Sequence, residues 1–488
     1  MLFNSPVFVF LFLPIVWLGY LLALRLPWAR SGIALLGAAS VFFYGWWNPA
    51  FLPLLGVSIL FNYAMGRLLG SPRRTRGWLI FAIVANLSAL AYYKYANLFL
   101  SSAGSLTGIA TPVLDVLLPI GISFYTFTQI AYLVDTYKAA RAEKSFSAYL
   151  LFVTFFPHLI AGPVLHHSEM MPQFLRDQRR VPPALILEGL LLFACGLAKK
   201  VLIADSVAPV VNRAFTLAEG HTLGMVDSWF GALAYTVQIY FDFSGYSDMA
   251  IGLGLMFGIR LPLNFNSPYR STSIIDFWRR WHMTLSRFLR DYLYVPLGGN
   301  RHGPTRRQVN LMLTMLLGGL WHGAAWTFVV WGGLHGAYLQ VNHAWRVLRS
   351  RNPVLERALS AYPRLSNTLS WALTLLAVVV AWTVFRAESF SGFTHMLEGM
   401  FLGRQTIDAG VLDSQTAFYI VIGLLIAVFA RNSQELFTGI GERLAAAGSG
   451  PARPFLQGAH AGAILLLVIS LTVISFSWGT NEFIYFNF

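Results

Sequence analysis

Long apolar stretches recur along the whole of this 488-residue chain, and the polar segments between them are short. Stretches beginning near residues 5, 31, 51, 77, 115, 148, 184, 228, 310, 369, 416 and 461 approach the length that crosses hydrocarbon, which takes roughly 20 apolar residues for about 30 Å. No alternating strand pattern of the membrane-barrel kind recurs. The backbone of each crossing must then satisfy its polar groups within helices. The expected fold is all-α: a polytopic integral membrane helix bundle of about eleven spans with re-entrant or interfacial pieces. It is read as a single domain over residues 1–488. Charged residues make up 11% of the chain, against about 25% in soluble domains, so one large soluble core is excluded.

A net charge of +14 invites a nucleic-acid reading, but the placement of the cations rejects it. Lys and Arg gather in short loops, the positive-inside pattern of membrane proteins. Residues 71–77, 137–144 and 343–368 are basic and are expected in the cytoplasm, whereas 101–112 and the acidic 386–416 are expected outside. Both termini then fall on the periplasmic side of a bacterial inner membrane. The first apolar stretch has no basic leader and no small-residue cleavage site, so it reads as a retained span. Residues 145–228 leave the span count open, because LIAGPVLHH and LAKKVLIADS look like breaks within half-spans. The single cysteine, Cys195, lies in an apolar run and reads as a buried, inert thiol.

Two segments carry histidines in unusual surroundings. In IIDFWRRWHMTLSRFLRDYLYVPLGGNR, residues 274–301, Trp278, Trp281, Leu285, Leu289 and Tyr292 repeat at helical spacing. His282 flanks that stripe, and Arg279, Arg280, Arg287 and Arg290 take other faces. The pattern predicts an amphipathic interfacial helix. In LMLTMLLGGLWHGAAWTFVVWGGLHGAYL, residues 311–339, both flanks are basic, so the segment should enter and leave on one side with His322 near its apex. Gly319 with Gly323, and Gly332 with Gly336, are spaced for close backbone approach. An ionisable group at that depth marks a functional site or a histidine bonded to a neighbouring helix. His335 reads as structural. His158 beside Pro157 lines a cavity or bonds a freed carbonyl. Gln238, Asp242, Ser244, Tyr246 and Asp248 need partners in an otherwise apolar run. Helix–helix hydrogen bonds, or pairing with the arginines of 279–290, are favoured over a polar tunnel lining. The chain contains no Gly-rich phosphate loop, zinc-spaced Cys/His cluster or nucleophile-elbow serine, and no metal site is expected.

These segments resemble the membrane-bound O-acyltransferase family. FWRRWH and the later WHG match its upstream polar residue and its membrane-embedded histidine, here His282 and His322. YFDFSGYSDMAIGLGLMFGIRL, NFNSPYRSTSIIDFWRRWH, LRDYLYVPLGGNR and FFPHLIAGPV are similar to the alginate O-acetylation subgroup, and the similarity runs from the first span to the last residue. The resemblance implies a bundle enclosing the histidines and a tunnel through the membrane. It implies acetyl-coenzyme A as donor substrate, with no resident cofactor. It also implies a periplasmic serine-type (SGNH) acetyltransferase as partner and an exopolysaccharide as acceptor. Alginate comes first; peptidoglycan and cellulose are alternatives. Arg279, Arg280, Arg287 and Arg290 would attract the donor's phosphates or serve only as positive-inside charge. An imidazole suits the proton removal that acyl transfer to an oxygen needs near pH 7.

The chain ends in an aromatic pattern, Phe483, Tyr485 and Phe488, similar to a carboxy-terminal motif of bacterial members of this family. It is read either as an interfacial belt or as an acyl relay in which Tyr485 takes acetyl near His322. Two rivals of other classes are a transporter for lipid-linked sugar, which would often show inverted repeats not seen here, and an inert scaffold for an export complex.

Overall fold

The computed structural model describes residues 1–27, 30–176, 179–407, 410–440, 458, 461–462, 464–465, 467–472 and 483–484. Among them the regular structure is helical, and no strand occurs. Among the described residues three helices are both long and apolar enough to cross a membrane: Pro49–Leu69, Arg76–Thr107 and Pro363–Arg386. Phe8–Ala23, Ser31–Gly45 and Ser414–Phe429 are apolar but shorter. Helices begin close to most of the expected starts, but many carry polar inner faces or are interrupted, so fewer qualify by hydropathy alone.

The outer faces show what solvent these helices fit. Leu11, Ile15, Leu18 and Leu22, spaced four, three and four apart, are 54–67% exposed. Leu365, Leu369 and Leu373 repeat the pattern at 58–68%. A soluble helix turns such a stripe inward. Here the stripes face outward, where only lipid tails satisfy them.

The described residues form two compact units: those within 1–197, 246–262 and 436–487, and those within 198–245 and 263–435. In the first, small and amide side chains set the packing. Gly189 and Gly252 meet so closely that a β-carbon on either would lie 2.5 Å from the other's carbonyl oxygen. Asn62 and Asn86 exchange amide hydrogen bonds of 3.0 and 2.7 Å, joining Leu52–Leu69 to Arg76–Leu90. Such pairs hold helices together where lipid provides no hydrophobic drive. The break at LIAGPVLHH is present: the helix Phe156–Leu159 ends there, and His158 Nε2 donates to the Phe152 carbonyl at 3.0 Å. That is the freed-carbonyl role. LAKKVLIADS, by contrast, continues as a π-helical turn, Lys199–Ala204, instead of breaking. Cys195 is half-buried, more open than its apolar sequence context suggested.

In the second unit the helices Gly303–His322 and Trp326–Arg351 form the expected hairpin. Its glycines are the reason it closes. A β-carbon on Gly319 would lie 3.1 Å from the Gly332 Cα, and one on Gly332 would strike the Met315 carbonyl. The segment 274–301, expected as one amphipathic helix, is corrected by the structure. It forms Ile274–Arg280 and Met283–Leu289, with a π-helical turn at Arg290–Tyr294. Between the first two, Trp281 is extended and His282 is left-handed at φ 43°. A non-glycine residue held there costs about 1–3 kcal/mol, so other contacts must impose it.

Candidate active site

Asn264 supplies those contacts. Its backbone carbonyl accepts from Met283 N–H at 2.9 Å. Its side-chain oxygen accepts from the Thr284 hydroxyl at 2.9 Å and lies 3.0 Å from His282 Nδ1. Nearby, Asn266 N–H donates to the Arg280 carbonyl at 2.9 Å. The strip around 264–266 thus runs beside 280–284 and takes over groups that a continuous helix would have bonded internally. His282 and Asn264 are fully buried.

His322 is the last residue of its helix, followed by an extended Gly323. Its ring centroid lies 6.3 Å from that of His282, and both imidazoles are buried. Trp331 and Phe385 meet the His322 ring at 5.2 Å each, edge to face, and Phe243 meets the His282 ring at 4.8 Å. The two histidines singled out from the sequence are therefore neighbours in one aromatic enclosure. Such an enclosure excludes water, the competing nucleophile in acyl transfer. A helix C-terminus also places partial negative charge beside an imidazole that takes up a proton. His335 is held by Trp278, whose indole N–H donates to its Nδ1 at 3.3 Å, and stacks on Phe277. This fits its structural reading.

A cavity of about 750 Å³ lies in the same unit, within the range of small-molecule sites. Met283, next to His282, lines it, as do Arg279, Arg287 and Arg290. Arg280 does not line it. Its Nε lies 3.0 Å from both carboxylate oxygens of Asp276, one turn away, and Nη1 donates to the Asn266 carbonyl. Arg290 divides itself between the cavity and Asp291, at 2.7 Å. Arg307 and His343 also line it and were not singled out from the sequence. The basic run around Arg306 and Arg307 was read only as a flank. Asn264 was also missed, although NFNSPYR was among the quoted motifs.

Asp242 takes the expected bond between helical elements, and its partner is a lysine. Lys200 Nζ, not an arginine of 279–290, lies 2.7 Å from Asp242 and 2.8 Å from Asp205. The π-helical turn at 199–204 carries this lysine. Gln238, Ser244 and Asp248 are buried. Tyr246 stacks between Phe3, at 4.7 Å, and Phe483, at 4.5 Å. Phe483 is itself buried; Tyr485 and Phe488 lie outside the described residues. Among the described residues no cluster of metal-ligating side chains occurs.

A helical chain with outward apolar stripes and two buried imidazoles in the same unit as an arginine-lined cavity has the build of a multi-pass membrane enzyme of acyl transfer. The membrane-bound O-acyltransferase family model matches residues 77–382, and the chain belongs to this family. It is 42% identical over 432 residues to the peptidoglycan O-acetyltransferase of Helicobacter pylori, covering 82% of this chain and 80% of that one. It is 43% identical over 446 residues to a probable alginate O-acetylase AlgI of Azotobacter vinelandii, covering 88% and 85%. With the protein of that name from Pseudomonas aeruginosa the identity is 46% over 410 residues, covering 82% and 75%. The chain is thus a multi-pass membrane acyltransferase.

Proposed function

We propose that this acyltransferase draws acetyl from cytoplasmic acetyl-coenzyme A and passes it through the inner membrane for O-acetylation of an extracellular polysaccharide, alginate in the first instance. The observation that carries the reading is the pair of buried imidazoles, 6.3 Å apart, in the same unit as an arginine-lined cavity that reaches Met283. Arg279, Arg287 and Arg290 are the donor's phosphate partners in this reading. Arg280, already engaged by Asp276, is left out. His322 takes the proton of an attacking hydroxyl. The new C–O ester bond forms as the thioester C–S bond breaks, and the proton passes to the departing thiolate. The relatives named for alginate and peptidoglycan acetylation support an extracellular polymer as acceptor.

The bundle of about eleven spans would enclose a tunnel, with both termini periplasmic. The chain's end would act as the relay: Tyr485 accepts acetyl and hands it to a periplasmic serine-type acetyltransferase. Burial of Phe483 against Tyr246 supports a seated tail over a lipid-facing belt. The deciding experiment supplies labelled acetyl-coenzyme A to proteoliposomes holding the chain. Release of free coenzyme A, dependent on His322, is expected. Passage of a sugar substrate without donor consumption would make the protein a transporter instead.

A further inference from the structure

We infer that Asn264 is a positioning residue that fixes His282 in the Nδ1–H tautomer, so that neutral His282 serves the site as a proton acceptor and not as a donor to the thioester oxygen. The inference deepens the reading above and rests on it in placing His282 at the site. The chain of reasoning starts from a donor that admits no ambiguity. The backbone N–H of Thr284 can only donate, and it meets the Asn264 side chain at 3.4 Å. The atom it meets must therefore be the amide oxygen, not the amide nitrogen. That oxygen can only accept. It lies 3.0 Å from His282 Nδ1, so Nδ1 must carry the hydrogen. In a neutral imidazole the other nitrogen, Nε2, then holds the lone pair.

The backbone makes this arrangement hard to escape. Met283 N–H is tied to the Asn264 carbonyl, and Asn266 N–H to the Arg280 carbonyl, which locks both flanks of His282. The left-handed backbone at His282 aims the ring out of the helical path. Asn264 is fully buried, so water does not compete for its oxygen. Chemistry offers His282 two roles: steadying the thioester carbonyl, or receiving a proton-bearing group such as His322 N–H or the attacking hydroxyl. The first needs a hydrogen on Nε2, which the neutral ring lacks. The second needs the lone pair that Asn264 leaves there.

Solid-state NMR of ¹⁵N-histidine-labelled protein in liposomes tests this. The His282 ring is assigned by its loss in His282→Gln or, should that variant not fold, by magnetisation transfer to the Asn264 side-chain carbonyl in the native chain. The expected result is a protonated Nδ1 and an unprotonated Nε2. Asn264→Asp keeps an acceptor oxygen and should keep the Nδ1–H signal. Asn264→Leu should lose it, with kcat for acetyl-coenzyme A falling roughly 10²-fold and KM little changed. An Nε2–H ring in the native protein, or an unchanged tautomer in a folded Asn264→Leu protein, overturns the inference and leaves His282 in the site. Native turnover in His282→Ala would instead remove His282 from the site, whatever the tautomer.

Discussion

His322 and Lys200 are both buried ionisable groups, yet their surroundings assign them opposite kinds of work. Aromatic rings enclose His322, whereas two carboxylates hold Lys200. Replacing His322 with Ala should reduce acetyl-coenzyme A turnover by about 10²–10⁴-fold, the range for a lost general base. Membrane abundance should stay normal; retained turnover per molecule would end its role as base. Lys200→Met should act on stability, because it leaves buried Asp242 beside half-buried Asp205 without their cation. Removing one partner of a buried ion pair costs about 3–5 kcal/mol. A lower thermal midpoint in detergent is expected, with much of the loss recovered when Asp242→Asn is added.

At the scale of elements, the hairpin Gly303–His322 and Trp326–Arg351 depends on backbone contact at Gly319 and Gly332. Gly332→Val would drive a side chain into the Met315 carbonyl, and overpacking of this kind costs about 1–3 kcal/mol. Because His322 ends one arm, the variant should lose turnover along with thermal stability; an unaltered enzyme would show that the contact is loose. The cavity makes a separate prediction. Arg287→Ala and Arg307→Ala should each raise KM for acetyl-coenzyme A with little effect on kcat, the mark of lost uniform binding. Arg280→Ala, outside the cavity, should leave KM unchanged. A KM effect confined to Arg280 would refute the assignment of the lining.

For the molecule as a whole, the membrane is the missing solvent. Leu373 is 68% exposed near the middle of the helix Pro363–Arg386. Leu373→Arg should cost about 2.5–3.5 kcal/mol of insertion, visible as lowered membrane-inserted protein. Normal insertion would mean that this face is covered by something other than lipid. The proposed relay would also be a whole-molecule property. Tyr485→Phe keeps the ring and removes the hydroxyl, so polymer acetylation in cells should fall to background. Mass spectrometry of the native C-terminal peptide, with the proposed periplasmic partner deleted, should find an added acetyl that vanishes in His322→Ala. Near-normal acetylation by Tyr485→Phe would leave the tail as an anchor.

The sequence by itself determined what can be decided locally. Apolar length and loop charge made the chain a helical membrane protein, because each helix satisfies its own backbone wherever it lies. Glycine spacing and two basic flanks made residues 311–339 a segment that enters and leaves on one side, with His322 near its apex. What depended on partners far along the chain was beyond that reach. Helical periodicity through Trp278, Trp281 and Leu285 gave no sign that Asn264 would capture His282 and break the helix. Charge placement could not distinguish Arg280, bound to Asp276, from Arg279 and Arg287 at the cavity, nor reveal that Lys200 would claim Asp242. Only the tertiary structure decided these, since a buried donor or acceptor takes whichever partner the fold brings within about 3 Å, and that distance is not written in the spacing of residues along one element.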